Sequence, residues 1–329
     1  MRALSTYCGE LLEHLRQALC ILEIMVTRHT RGKITWVDLE SPSHAELNDI
    51  MTEFAIDERI EEEIISPTHY PLVISFPKYQ YLILHFPTSD TSSGTRNQEI
   101  DFIVGKNFLI TARYEVIDSI HSLHRVFEAE ELLGLPRADA LTAHLLERIL
   151  KRMYGAIREE MERASRLLEH IEEDMFAGKE RETVRSISDI GRVLLRFQTT
   201  MSRHKEPLTM FLERLTTPSF FGKKFADHAA HIEGERAHVA ELVNSYKTVA
   251  TELRSTNDSI LSASQNEIMK FLTVMAFVTF PLSLITGIFG MNTIDIPIIG
   301  LKDDFWIIIV IMFMVAVSLF SFVRFKRWL

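Results

Sequence analysis

Two long apolar runs close the chain, and they limit what it can fold into. Residues 268–289 read IMKFLTVMAFVTFPLSLITGIF and carry a single charge, Lys270, near the start. Residues 305–323 read FWIIIVIMFMVAVSLFSFV and carry none. At 1.5 Å per residue the first run crosses a hydrocarbon core of about 30 Å, and the shorter second is still long enough to span it. A helix in a soluble core usually shows a polar stripe, whereas these runs hold only scattered Ser and Thr. Their place at the C-terminal end excludes a signal peptide. The expectation is a two-helix transmembrane hairpin with a small polar mouth between the spans.

Charge sets the orientation. The chain ends Arg324-Phe325-Lys326-Arg327-Trp328-Leu329, a basic cluster with an interfacial Trp that belongs on the cytoplasmic side. Two spans then put the large N-terminal region in the cytoplasm as well, so that both termini are inside. The loop between the spans faces out, and its Asp295, Asp303 and Asp304 outweigh Lys302. A formal charge of −9 argues against a nucleic-acid partner. Cys8 and Cys20 give neither a zinc-finger spacing nor a disulfide framework.

Residues 1–24 contain an amphipathic pattern, LLEHLRQALCILEI. They read either as an extension ahead of a start at Met25 or as a regulatory, membrane-surface segment. From Lys33 the pattern becomes α/β. Strands are expected at 33–39, 72–76, 79–86, 100–104 and 108–112, with helices at 45–54 and 58–65. Ser43 and Glu46 form a capping-box signature for the first helix. Residues 88–97 read as a polar, exposed loop. The sum for 25–135 is a cytoplasmic α/β domain over a mixed or antiparallel sheet. Residues 136–218 read as almost wholly helical, interrupted at Gly178 and broken at Pro218. From 219 a stalk helix (219–267) runs unbroken into the first span (268–289), about 60 to 70 residues in all. The loop is 290–304, the second span 305–323 and the basic tail 324–329.

One face of the first span carries the functional argument. Asn266, Met269, Leu272, Ala276, Phe280, Ser283 and Gly287 follow one another at steps of three or four. If several copies surround an axis, that face lines a conduit. Leu272 and Phe280 narrow it, and Ser283 and the Gly287 carbonyl offer neutral oxygens. Asn266 forms an inner ring of amides and Asn292 an outer one. Uncharged oxygens suit Mg²⁺, which gives up water reluctantly and is held through its hydration shell. The loop acids concentrate cations at the mouth. The plainer reading makes Gly287 and Gly290 packing residues, Asn292 a helix cap and Pro281 the source of a bend.

At Gly290-Met291-Asn292 the chain resembles the CorA family of divalent-cation transporters. That family carries a Gly-Met-Asn tripeptide at the outer end of the first of two C-terminal spans. The stretches Asn266-Glu267-Ile268-Met269-Lys270-Phe271-Leu272-Thr273, Phe280-Pro281-Leu282 and Gly287-Ile288-Phe289-Gly290-Met291-Asn292 follow the family pattern. The resemblance implies a funnel-shaped homopentamer: an α/β cytoplasmic domain, a long stalk helix and a transmembrane hairpin. It implies that Gly290, Met291 and Asn292 select the ion, that Asn266 is the inner polar ring and that Leu272 is a hydrophobic gate. Phe280 stands where the magnesium branch often has Met, and Ser283 where a Thr is common.

The ion stays open between two branches. Phe289 precedes the tripeptide where magnesium-transporting members usually have Tyr. The loop reads Thr293-Ile294-Asp295-Ile296-Pro297 where they have Met-Pro-Glu, and it is partly similar to the zinc branch. The stalk adds Asp227, His228, His231, Glu235 and His238, several of them on one face. Imidazoles suit Zn²⁺ better than Mg²⁺. The resemblance also places His231 where a regulatory acid between subunits is expected. The alternative for these residues is a solvated helix face. The expected substrate is therefore Mg²⁺, with Zn²⁺ as the alternative and divalent cations as regulators. No prosthetic group is expected. No phosphate-binding loop is present, so no nucleotide partner is expected. A non-conducting membrane scaffold or metal sensor is the third reading. An enzyme is not expected, because His29, His44, His69 and His85 show no ligand or triad spacing and read as surface or packing residues.

Overall fold

The computed structural model describes residues 26–87, 97–133, 142–291 and 303–326. The segment 1–24 and most of the polar loop expected at 88–97 lie outside the described residues. Six strands, β1 (Val26–Arg31), β2 (Ile34–Glu40), β3 (Leu72–Ser75), β4 (Tyr79–Pro87), β5 (Asn97–Gly105) and β6 (Phe108–Arg113), form one sheet. Their spatial order is β1-β2-β6-β5-β4-β3, and only β2 and β6 run parallel. The sheet is thus mixed. Its edge strand β1 is absent from the sequence reading, because VTRHTR is charged and carries few apolar positions, as an edge strand does.

Alternation along the strands feeds two cores. On one face Val37, Leu39, Tyr81, Ile83, Ile103 and Ile110 pack against α1 (His44–Phe54) and α2 (Glu58–Ile65). Helix α1 starts where its sequence signature puts it: the Glu46 amide donates to Ser43 Oγ at 3.3 Å and the Ser43 amide to Glu46 Oε2 at 2.9 Å. Ala55, in the left-handed region at φ 54°, ends it. On the other face Trp36 stacks on His124 of α3 (Asp118–Leu132), with ring centroids 4.3 Å apart. Phe86 packs edge-on against Tyr154 of α4 (Thr142–Phe176) and His204 of α5 (Glu180–Leu215). The result is an α/β sandwich of three layers.

Asp38 and His204, both buried on the second face, are matched. Asp38 accepts from His124 Nε2 at 2.9 Å and pairs with Arg113 at 3.0 Å, and Thr111 also donates to it. Burial opposes ionisation of Asp38. The bonds from His124 and Thr111 and the Arg113 charge outweigh it and hold the carboxyl below its usual range. His204 donates Nε2–H to the His85 carbonyl at 2.8 Å and accepts the Tyr154 hydroxyl at Nδ1, 3.1 Å away. Burial pushes its pKa down to about 4. Of the four histidines read as surface or packing residues, His29 and His85 are buried, whereas His44 and His69 are exposed.

Helix α4 stops at Gly178, whose φ of +87° suits a glycine, and the Lys179 amide reaches back to the Asp174 carbonyl at 3.1 Å. Helix α5 continues straight through Pro207. After a short 3₁₀ turn (Gly222–Phe225) comes α6 (Ala226–Phe289), 64 residues without a break and about 96 Å long. Helix α7 (Asp304–Phe325) closes the described chain. The chain divides into two compact units, one reaching residue 173 and resuming at 185–251, the other comprising 174–184 and 252–329. In the second unit, Thr183 of α5 donates to the buried Asn257 of α6 at 3.2 Å.

Candidate functional site

The C-terminal part of α6 and the whole of α7 are long and apolar enough to cross a membrane. Their burial patterns show how they are used. On α6, Val274 is buried and Val278, Pro281, Ile285 and Phe289 are half-buried. On α7, Ile308, Met312, Val315 and Leu319 are half-buried and Val323 is fully buried. Both stripes repeat at three and four residues, and the Phe277 and Phe322 rings lie 6.2 Å apart. The two spans therefore pack as a hairpin along one stripe each.

The residues expected to line a pore lie elsewhere on α6. With 3.6 residues per turn, the stripe through Met269, Leu272, Ala276, Phe280, Ser283 and Gly287 is centred about 180° from the packed one. It is open: Met269 is 61% exposed, Leu272 54% and Phe280 74%, while Ala276 is half-buried. Asn266, Ser283 and Gly287 are exposed too. Below Asn266 the surface turns polar through Ser255, Asp258, Ser259 and Ser262. Other hydroxyls of the span are satisfied within the helix, Thr273 by the Met269 carbonyl and Thr279 by the Met275 carbonyl, each at 2.7 Å. Ser283 differs: among the described residues its hydroxyl has no hydrogen bond, so it faces the open stripe uncommitted.

At the C-terminal end of α6 the Gly290 amide donates to the Thr286 carbonyl at 2.9 Å. A Cβ on Gly290 would stand 2.9 Å from that same oxygen, closer than side chains normally approach. A glycine lets the chain turn there. Met291 is exposed. Asn292 and Asp295 lie outside the described residues. Asp303 is exposed and precedes α7, and Asp304 is its first residue.

The stalk residues separate into two groups. His228 Nδ1 lies 2.5 Å from Glu147 Oε2, and His231 Nδ1 lies 3.0 Å from Glu147 Oε1. Burial of Glu147 opposes its ionisation, but the bonds from both histidines hold its pKa below the ordinary value. His144 joins this group, with its ring 4.3 Å from that of His228. Glu235 does not. It pairs with Arg158 at 3.4 Å and Lys151 at 3.8 Å on α4. Asp227 and His238 are exposed. His144 and Glu147 were not singled out from the sequence. Their spacing of three on a helix matches that of His228 and His231, and this was the available signal.

Comparison with known proteins fits this arrangement. The family model described as CorA-like Mg2+ transporter protein matches residues 31–327. The cobalt/magnesium transport protein CorA of Thermotoga maritima is 22% identical over 298 residues, covering 90% of this chain and 83% of that protein. The cobalt/magnesium transport protein CorA of Methanocaldococcus jannaschii is 22% identical over 299 residues, covering 90% and 92%. The complete structure of the CorA magnesium transporter from Methanocaldococcus jannaschii superposes with a TM-score of 0.79 at 20% identity, covering 92% of this chain and 93% of that one.

Proposed function

Because the chain belongs to the CorA-like Mg2+ transporter family, we propose that it assembles as a homopentameric channel passing hydrated Mg²⁺ down its electrochemical gradient. It is a membrane transporter of divalent cations and not an enzyme. Five copies turn the open stripe of α6 toward a common axis, and α7 of each copy stands behind it. Asn292 with the Gly290 backbone admits the ion at the outer mouth. Leu272 and Phe280 form the dry constrictions, and Ser283, the Gly287 carbonyl and Asn266 supply neutral oxygens along the way. Asp295, Asp303 and Asp304 raise the local cation concentration. With Arg324, Lys326 and Arg327 on the cytoplasmic side of a bacterial inner membrane, both termini are inside. The potential then favours inward movement by about 4.6 kcal/mol per dication per 100 mV.

The observation that carries this reading is the opposition of the two stripes on α6. One packs against the second span of the same chain. The other is apolar to small-polar, exposed and left for something outside the chain. The test is Mg²⁺ uptake into liposomes by the chain and its Asn292→Ala variant. Selective uptake is expected to disappear in the variant while the assembled size is unchanged. Flux equal to the unmodified chain counts against the reading.

A second reading keeps the architecture and changes the ion to Zn²⁺, with proton coupling as its mechanism. Phe289 ahead of the tripeptide and the imidazoles near Glu147 favour it. Competitive uptake of Mg²⁺, Zn²⁺, Co²⁺ and Ni²⁺, with pH varied on each side, separates the two.

A further inference from the structure

We propose that α4 and α6 of a single chain form a transition-metal site, with His144, Glu147 and His228 as ligands and with His231 beside them on the other Glu147 oxygen. One ligand atom from each of His144, Glu147 and His228 lies within 4.8 Å of the others. Glu147 bridges the two stalk histidines through its two oxygens, at 2.5 Å and 3.0 Å. The His144 ring meets the His228 ring edge-on, with centroids 4.3 Å apart.

The distances bracket what a metal requires. Bonds of about 2.0–2.1 Å in a tetrahedron place neighbouring donors roughly 3.3–3.4 Å apart. The hydrogen-bonded pair must open by less than an ångström, roughly 0.8–0.9 Å, and no pair need close by more than about 1.4 Å. Side-chain rotation covers both changes, because His144 is exposed and Glu147 and His228 are only half-buried.

The surrounding charges support this assignment. Arg148, next to Glu147, is engaged by Glu130 at 2.8 Å, and Lys151, one turn on, lies nearest Glu235. Among the described residues, the ion pairs of Glu147 are with His228 and His231. A cation at the cluster would therefore meet a carboxylate not already neutralised by Lys or Arg. Two or three imidazoles with one carboxylate suit Zn²⁺, Co²⁺ or Ni²⁺ and reject Mg²⁺, which demands a shell of hard oxygens and water. Bound there, the metal ties the first turns of α6 to α4. The proposal does not rest on the pore reading, since none of its ligands lies on the open stripe.

The test uses the full-length chain in detergent, stripped with a chelator and titrated with Zn²⁺ under a large excess of Mg²⁺. About one Zn²⁺ per chain is expected, and Co²⁺ in its place should give the intense visible absorption of a four-coordinate ion. The double variant His144→Ala/His228→Ala should lose this equivalent and the Co²⁺ spectrum, whereas His238→Ala and Asn292→Ala keep both. If the double variant fails to assemble, His144→Ala alone decides, since its side chain is exposed; a weakening of at least about tenfold is expected. Unchanged Zn²⁺ affinity in His144→Ala, unchanged stoichiometry in the double variant, or no Zn²⁺ retained against Mg²⁺ by the unmodified chain overturns the proposal. Loss of transport in Asn292→Ala with Zn²⁺ still bound separates this site from the pore.

Discussion

Strand β4 and the membrane-crossing part of α6 are both strongly apolar, yet the chain treats them in opposite ways. All nine residues of β4 are buried, because the sheet has helices on both faces. In α6 beyond residue 268 only Val274 is buried, while Leu272 and Phe280 stand more than half exposed. In β4 each side chain meets partners from its own chain. In α6 much of the surface has no such partner within the chain, and under the proposed assembly lipid and other copies would cover it. Substitutions in β4 should therefore act on folding, and substitutions on the open stripe of α6 on transport.

The largest effect is expected in the sheet. Phe102→Ala, at a fully buried position of β5 beside β4, should destabilise the α/β layers by about 3–5 kcal/mol. Hydrogen exchange of β4 and β5 amides in the full-length protein reads this directly. Exchange no faster than in the unmodified chain would break the comparison on the folding side.

Next comes acid. His204 is neutral in the fold with its pKa pushed down to about 4, against 6.5 for an unburied histidine. The unfolded chain therefore binds a proton before the folded one does. This contribution is intact above about pH 6.5 and is lost as pH falls toward 4, by roughly 3 kcal/mol in all. A His204→Gln variant should show a shallower loss of stability across that interval in denaturant unfolding at stepped pH. An identical slope would remove His204 as the cause.

On the open stripe the expected signs reverse. Phe280→Ala should change stability by no more than about 0.5 kcal/mol, as at an exposed position, while raising Mg²⁺ flux through a widened throat. Unfolding and liposome uptake measured on the same preparation test both halves. A destabilised chain with unchanged flux would mean that Phe280 serves packing. The smallest effect belongs to Asp303→Asn. Uptake should fall by less than about twofold, only at low salt and low Mg²⁺, since an exposed charge acts through a screened field.

Much of this molecule was legible in its residues. The two spans, the strand at 34–40, the capped helix after Ser43 and the long helix up to Phe289 all follow from local period and capping, which neighbours in sequence decide. The edge strand Val26–Arg31 was not legible, because its pairing with β2 comes from hydrogen bonds across a turn and not from a hydrophobic pattern. The candidate site divides in the same way. The steps of three and four from Asn266 to Gly287 define one face from sequence alone. Which stripe of α6 meets α7 could not be read there, since both stripes are rich in small and apolar residues.

By itself, then, the sequence determined which stretches are helical, which segments suit a membrane and which residues share a face, since each depends on dihedral preferences and spacing along one stretch. Only the tertiary structure decided that Val274 is buried and Leu272 exposed, that Glu235 goes to Arg158, and that Glu147 receives His228 and His231. Those outcomes depend on how distant helices are juxtaposed. Residues 81 and 84 positions apart in the chain come within bonding distance only when α4 and α6 lie side by side.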